Sequence, residues 1–185
     1  MPAESALHYR NLDDAIEGTT APQEVRDKLT LVTADYMDFD YRHRRGQLVI
    51  AAVLAAEVEV IFGRLRDARF PIKSVIPIKA FGWDDHASIR ANNTSAFNYR
   101  LVAGTDEVSR HALGEAIDIN PMLNPYIYPA DGVPPVPFPY PHRNPNAPGA
   151  FVEGDAAVQA FNDLGWEWGG DWKTGPDFQH FEKIE

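Results

Sequence analysis

Cysteine is absent from the 185-residue chain. That removes disulfides, thiol nucleophiles and Cys-based zinc sites from consideration, so any metal would have to be held by carboxylates and the six His. No apolar run approaches the roughly 18–20 residues that a membrane-spanning helix needs. Cations are outnumbered, with 17 Lys and Arg against 27 Asp and Glu and a formal net charge of −10. A nucleic-acid backbone or an anionic lipid surface is therefore not the expected partner. Met1 to Asp14 hold no basic region followed by an apolar stretch, so no signal peptide is read there; the expectation is either a chain that is cytoplasmic when made or one lacking its leader.

What is present is globular: 44% hydrophobic and 11% aromatic residues, enough for one domain with a buried core. Residues 1–25 are polar and weakly patterned and read as an N-terminal arm or peripheral helix, leaving 26–185 as the domain. Leu29 to Tyr36 and Gln47 to Val49 have the β-branched and aromatic character of short strands. Leu54, Val58, Ile61, Phe62 and Leu65 recur at three- and four-residue steps, which predicts an amphipathic helix over Val53 to Ala68, ended by Phe70-Pro71. Val75 to Phe81, Ser95 to Leu101 and Glu115 to Ile119 read as strands, the first an edge or bulge because of Pro77. Asp155 to Leu164 reads as a helix closed by Gly165, and the tail as a final strand. Short strands mixed with a few helices indicate an α+β fold in a single domain.

Ten of the fifteen prolines fall between residues 121 and 148. No regular element survives that density, so the segment reads as one long loop with polyproline II stretches. It could be a stiff cover for a sheet edge or a wall of a substrate groove.

Four side chains carry the chemistry: His111, Asp118, Asp177 and His180. His111 and Asp118 are seven apart around Gly114. A continuous helix would put both on one face, but Gly114 and the β-branched end argue for a His at a loop or strand start and an Asp inside a strand. Either geometry could bring both to one ion. In Asp177-Phe-Gln-His180, strand alternation would separate the pair; Pro176 suggests instead that Asp177 belongs to the preceding loop. Two His and one carboxylate, with a fourth position open, form the ligand set of a catalytic zinc. A further carboxylate could then take a proton from water. Taken singly, each His is more commonly a hydrogen-bonded core or surface residue than a ligand.

The combination of segments resembles the M15 zinc peptidases, a family of D-alanyl-D-alanine carboxypeptidases and L-alanyl-D-glutamate endopeptidases. Its pattern S-x-H-x-x-G-x-A-x-D is met at Ser109 to Asp118, and its second motif at Asp177-x-x-His180. The flanks agree too: Asn93 to Arg100 upstream, Ile119-Asn120-Pro121 with Asn124-Pro125 after the Asp, and Gly165 to Trp172 before the last motif. The resemblance implies a small, mostly antiparallel sheet flanked by helices, of the Hedgehog/D-Ala-D-Ala peptidase-like kind. It also implies one Zn2+ held by His111, Asp118 and His180, with Asp177 as general base. Arg100 falls where the family binds the scissile carbonyl, and Ser109 where a side chain touches substrate or supports a ligand.

The implied activity is hydrolysis of an amide bond in peptidoglycan stem peptides, by a monomer. The alternatives are a catalytically silent peptidoglycan-binding module retaining the fold, and a structural zinc domain. Which bond is cut is open, with Asp at 177 leaning toward the endopeptidase. The substrate lies outside the membrane, which calls for a missing leader, a phage-type lysis route or delivery by another protein. Trp166, Trp168 and Trp172 could line a sugar groove or pack in the core. Asp171 is a candidate acceptor for a zinc-ligating His, and His86 reads as part of a surface helix start.

Overall fold

The computed structural model describes residues 8–102, 104–128 and 143–184. Strands β1 (Leu29–Met37) and β2 (His43–Ala51) form an antiparallel hairpin paired along its whole length. The second strand begins four residues earlier than its apolar character suggests, because His43 to Arg45 are exposed or half-exposed and only the later residues are buried.

Two short helices, α1 (Leu12–Ile16) and α2 (Gln23–Arg26), precede the hairpin. Asn11 caps α1 by accepting from the Asp14 amide. The buried Ala15 and Ile16 of α1 pack with Leu29, Val49 and Phe97. The long helix α3 (Ala55–Asp67) buries Val58, Ile61, Phe62 and Leu65, the stripe its spacing predicts, and Ala68 closes it.

The expected strand over Val75 to Phe81 is not formed. Val75 makes one isolated bridge to Thr94, and Ile78–Phe81 is a 3-10 turn that follows Pro77. Helix α4 (Asp85–Arg90) comes next, capped by Asp84. Ser95 to Leu101 is likewise not one strand, because its backbone divides its bonds among several partners. Ser95 pairs with Asp118, the Phe97 amide donates to the Val49 carbonyl, and the Asn98 amide donates to the His111 carbonyl.

The single sheet expected is in fact two. Besides the hairpin there is a three-stranded antiparallel sheet in the order β3 (Ala116–Asp118), β5 (His180–Lys183), β4 (Trp166–Trp168). Helix α5 (Arg110–Leu113) leads into β3, and α6 (Ala156–Asn162), capped by Asp155, lies between the long helix and β4. Phe161 stacks on Phe181 with ring centres 3.8 Å apart, and Phe151 meets Phe181 edge-on. This aromatic core lies directly under β5. The architecture is α+β. Among the described residues no helix is long and apolar enough to cross a membrane. The centre of the Pro-rich loop, 129–142, lies outside the described residues, as does the start of the N-terminal arm.

Candidate metal centre

Three elements bring His111, Asp118 and His180 together. Asp118 and His180 are direct partners in the β3–β5 register, so their side chains share a face of the sheet. His111 arrives from the one-turn helix α5, where its own amide donates to the Ser109 hydroxyl. The chain must then reverse into β3 within two residues, and Gly114 allows it. Its φ of +71° is a left-handed conformation, and a Cβ there would stand 2.7 Å from the Ala51 nitrogen. The Gly114 carbonyl accepts from that same Ala51 amide at 2.8 Å, tying helix α5 to the hairpin.

The three candidate donor atoms form a nearly equilateral triangle. His180 Nδ1 is 3.0 Å from Asp118 Oδ1, His111 Nε2 is 3.2 Å from Asp118 Oδ1, and the two imidazole nitrogens are 3.2 Å apart. A tetrahedral zinc with bonds of about 2.0–2.1 Å spaces its donors by roughly 3.3 Å. The residues present therefore fit such an ion in both chemistry and spacing. All three side chains are buried, and among the described residues these three form the group able to hold a metal.

Each imidazole has its remote nitrogen engaged. His111 Nδ1 is 2.6 Å from the Ala96 carbonyl oxygen, and His180 Nε2 is 3.1 Å from Glu182 Oε2. Both acceptors require a proton on the nitrogen they face, leaving His111 Nε2 and His180 Nδ1 as the atoms aimed at the cluster. Asp171, the acceptor expected from the sequence, is instead exposed on a 3-10 turn. Glu182 was missed, although a carboxylate two residues after a strand His shares its face.

Asp177 sits in the turn that launches β5: its carbonyl accepts from the His180 amide, and its own amide donates to Gly169. Loop placement of Asp177 is thus as Pro176 suggested. Gly169 is required by close approach, since a Cβ there would lie 2.6 Å from the Asp177 carbonyl oxygen and 3.3 Å from His180 Cβ. Asp177 Oδ1 is buried and meets no hydrogen-bond donor among the described residues. Burial, reinforced by the charge of Asp118, pushes its pKa up to about 7. For Asp118, burial opposes ionisation, but the facing imidazoles outweigh it and hold the carboxyl well below the usual range. For His180, burial opposes the charge, yet hydrogen bonds to Asp118 and Glu182 raise its pKa well above the ordinary imidazole value.

The remaining expected site residues are differently placed. The Ser109 hydroxyl serves as the α5 N-cap and is buried. Arg100 pairs with Asp85 at 3.3 Å, and the same carboxylate accepts from Asn98. Arg100 adjoins the site through its carbonyl, which accepts from the Ser109 amide. Trp166 and Trp168 are core residues whose indole N–H groups donate to Glu57 and the Phe178 carbonyl. Trp172 alone flanks the cluster, its ring centre 5.4 Å from that of His180. His86 lies in the first turn of α4, as expected.

A buried two-imidazole, one-carboxylate cluster with a carboxylate beside it is the arrangement of a metallohydrolase. Residues 103–183 match the M15 peptidase model described as D-alanyl-D-alanine carboxypeptidase, which supports an M15 family peptidase. No curated protein and no solved structure matches the chain.

Proposed function

We propose that the protein is a zinc metallopeptidase that hydrolyses an amide bond in the stem peptides of peptidoglycan. The observation that carries this reading is the convergence of His111 Nε2, Asp118 Oδ1 and His180 Nδ1 within 3.0–3.2 Å of one another. One zinc ion held by these three residues would supply Lewis acidity toward the scissile carbonyl and acidify water to near-neutral pKa. Asp177 takes the proton of the attacking water and returns it to the leaving amine. Its unsatisfied Oδ1 and raised pKa suit a group that must carry a proton in either direction near neutral pH. Arg100, steadied by Asp85, is assigned to the oxygen of the scissile carbonyl, where negative charge develops.

A silent binding module has no use for a carboxylate with a buried oxygen, Asp177 Oδ1, that meets no donor among the described residues. A structural zinc domain closes its fourth position, whereas among the described residues three form the cluster. The matched family is described as a carboxypeptidase, while Asp at 177 leans toward endopeptidase action. Incubating the zinc-loaded protein with purified muropeptides and weighing the products by mass spectrometry separates these readings. Release of D-alanine identifies the carboxypeptidase, scission after L-alanine the endopeptidase, and intact muropeptides would contradict both.

A further inference from the structure

We propose that Glu182 is a positioning residue for the metal centre, holding His180 in the tautomer and ring orientation that turn Nδ1 toward His111 and Asp118. The proposal rests on reading that cluster as a zinc site. His180 and Glu182 alternate along β5 and so share one face, with His180 Nε2 and Glu182 Oε2 3.1 Å apart.

The two imidazoles are supported differently. His111 leans on a backbone carbonyl, that of Ala96, which no substitution removes. His180 depends on a side chain. Its coordinating atom would be Nδ1, the nitrogen nearer its own backbone, so a ring flip would carry the lone pair away from the cluster. An acceptor held at Nε2 opposes that flip and keeps a proton on Nε2, so that Nδ1 is the nitrogen facing the cluster.

Packing offers no competing reason for an acid at this position. Across the sheet Glu182 stands opposite Glu167 and Ala116, and like charges directly opposite on neighbouring strands are unfavourable. Besides His180 and His111, the cation whose field reaches Glu182 is Arg110, which makes its own ion pair with Glu115 at 2.8 Å. The neighbouring Lys183 is occupied with Glu57.

The test compares zinc affinity of wild type, Glu182→Gln and Glu182→Ala by competition with a chromogenic chelator at one pH. Near-UV circular dichroism serves as the control for folding. Glu182→Ala should bind zinc about 10–100-fold more weakly. Glu182→Gln should fall between, because its amide oxygen still accepts from Nε2–H. Imidazole 15N–1H spectra of the zinc-loaded protein should show a protected His180 Nε2–H in wild type that is lost in Glu182→Ala. Folded variants with wild-type affinity and an unchanged imidazole spectrum would overturn the proposal alone. A wild-type protein that takes up no zinc would instead overturn the zinc reading beneath it.

Discussion

Asp118 and His180 stand directly opposite one another on antiparallel strands, 62 residues apart in sequence, with Oδ1 and Nδ1 separated by 3.0 Å. The pairing of β3 with β5 therefore brings together two of the three candidate metal ligands as a consequence of strand register. A shift of one residue would move one of the two to the far face of the sheet.

The roles of Asp177 and His180 separate in a double readout. Asp177→Ala should lose roughly 10²–10⁴ in hydrolysis rate while keeping its zinc. His180→Ala should lose both activity and metal. Full activity in Asp177→Ala, measured on muropeptides alongside metal analysis, would remove it as the base.

Metal affinity should rise with pH. In the metal-free protein the raised pKa of His180 means that its Nδ1 carries a proton at neutral pH, and zinc needs that lone pair. Binding must then release about one proton, so affinity should climb roughly tenfold per pH unit between about pH 6 and 8. Chelator competition across that range measures the slope, and a flat profile would count against a protonated His180.

Asp177 also predicts a stability effect in the metal-free protein. Its folded pKa of about 7 lies above its unfolded value, so the folded state holds the proton more tightly. Its contribution is fully present at low pH and is lost as pH rises from about 4 through 7. Asp177→Asn removes that loss and should raise the metal-free Tm at pH 8, by about 3–6 °C for roughly 1–2 kcal/mol. At pH 4 it should change Tm little. Equal shifts at both pH values would show that the carboxylate is not destabilised by burial.

Gly169→Ala should damage the site without touching a ligand. The added Cβ would meet the Asp177 carbonyl at 2.6 Å and His180 Cβ at 3.3 Å, pushing apart the turn that holds both groups. A misplacement on the order of 1 Å can cost about 10²-fold in rate. The variant should fold by circular dichroism but hydrolyse muropeptides at about that reduced level; a wild-type rate would show that the turn absorbs the methyl group.

Arg100→Ala tests the weakest-anchored role. Loss of one oxyanion donor should lower the rate by roughly 10²–10³ with zinc retained. An unchanged rate would leave Arg100 as a partner of Asp85 and redirect attention to Arg90.

That His111, Asp118 and His180 come together was legible in the sequence through the family resemblance of its two short motifs, since the spacing by itself left the geometry open. Ser109 caps the turn that carries His111, Gly114 reverses the chain, and Asp177 to His180 spans one hydrogen-bonded turn. The α3 stripe was legible from its spacing: period and burial agree. Less visible were features whose cause is distant. Ser95 to Leu101 has strand character, yet its hydrogen bonds go to Asp118, Val49 and His111 in turn, which no local pattern announces. Pro77 deletes an amide and leaves Ile78–Phe81 as a 3-10 turn. Glu182 was overlooked because a single acid near a chain end looks like solvated surface until β5 places it beside His180.

One zinc ion in the His111–Asp118–His180 cluster is what we propose makes this chain a peptidase. The most direct test is to strip the protein with a chelator, return zinc in measured steps and follow muropeptide cleavage. Cleavage should be absent without metal, and activity should rise linearly and level off at one zinc per chain. Cleavage by the stripped protein, or none at full zinc occupancy, would contradict the proposal.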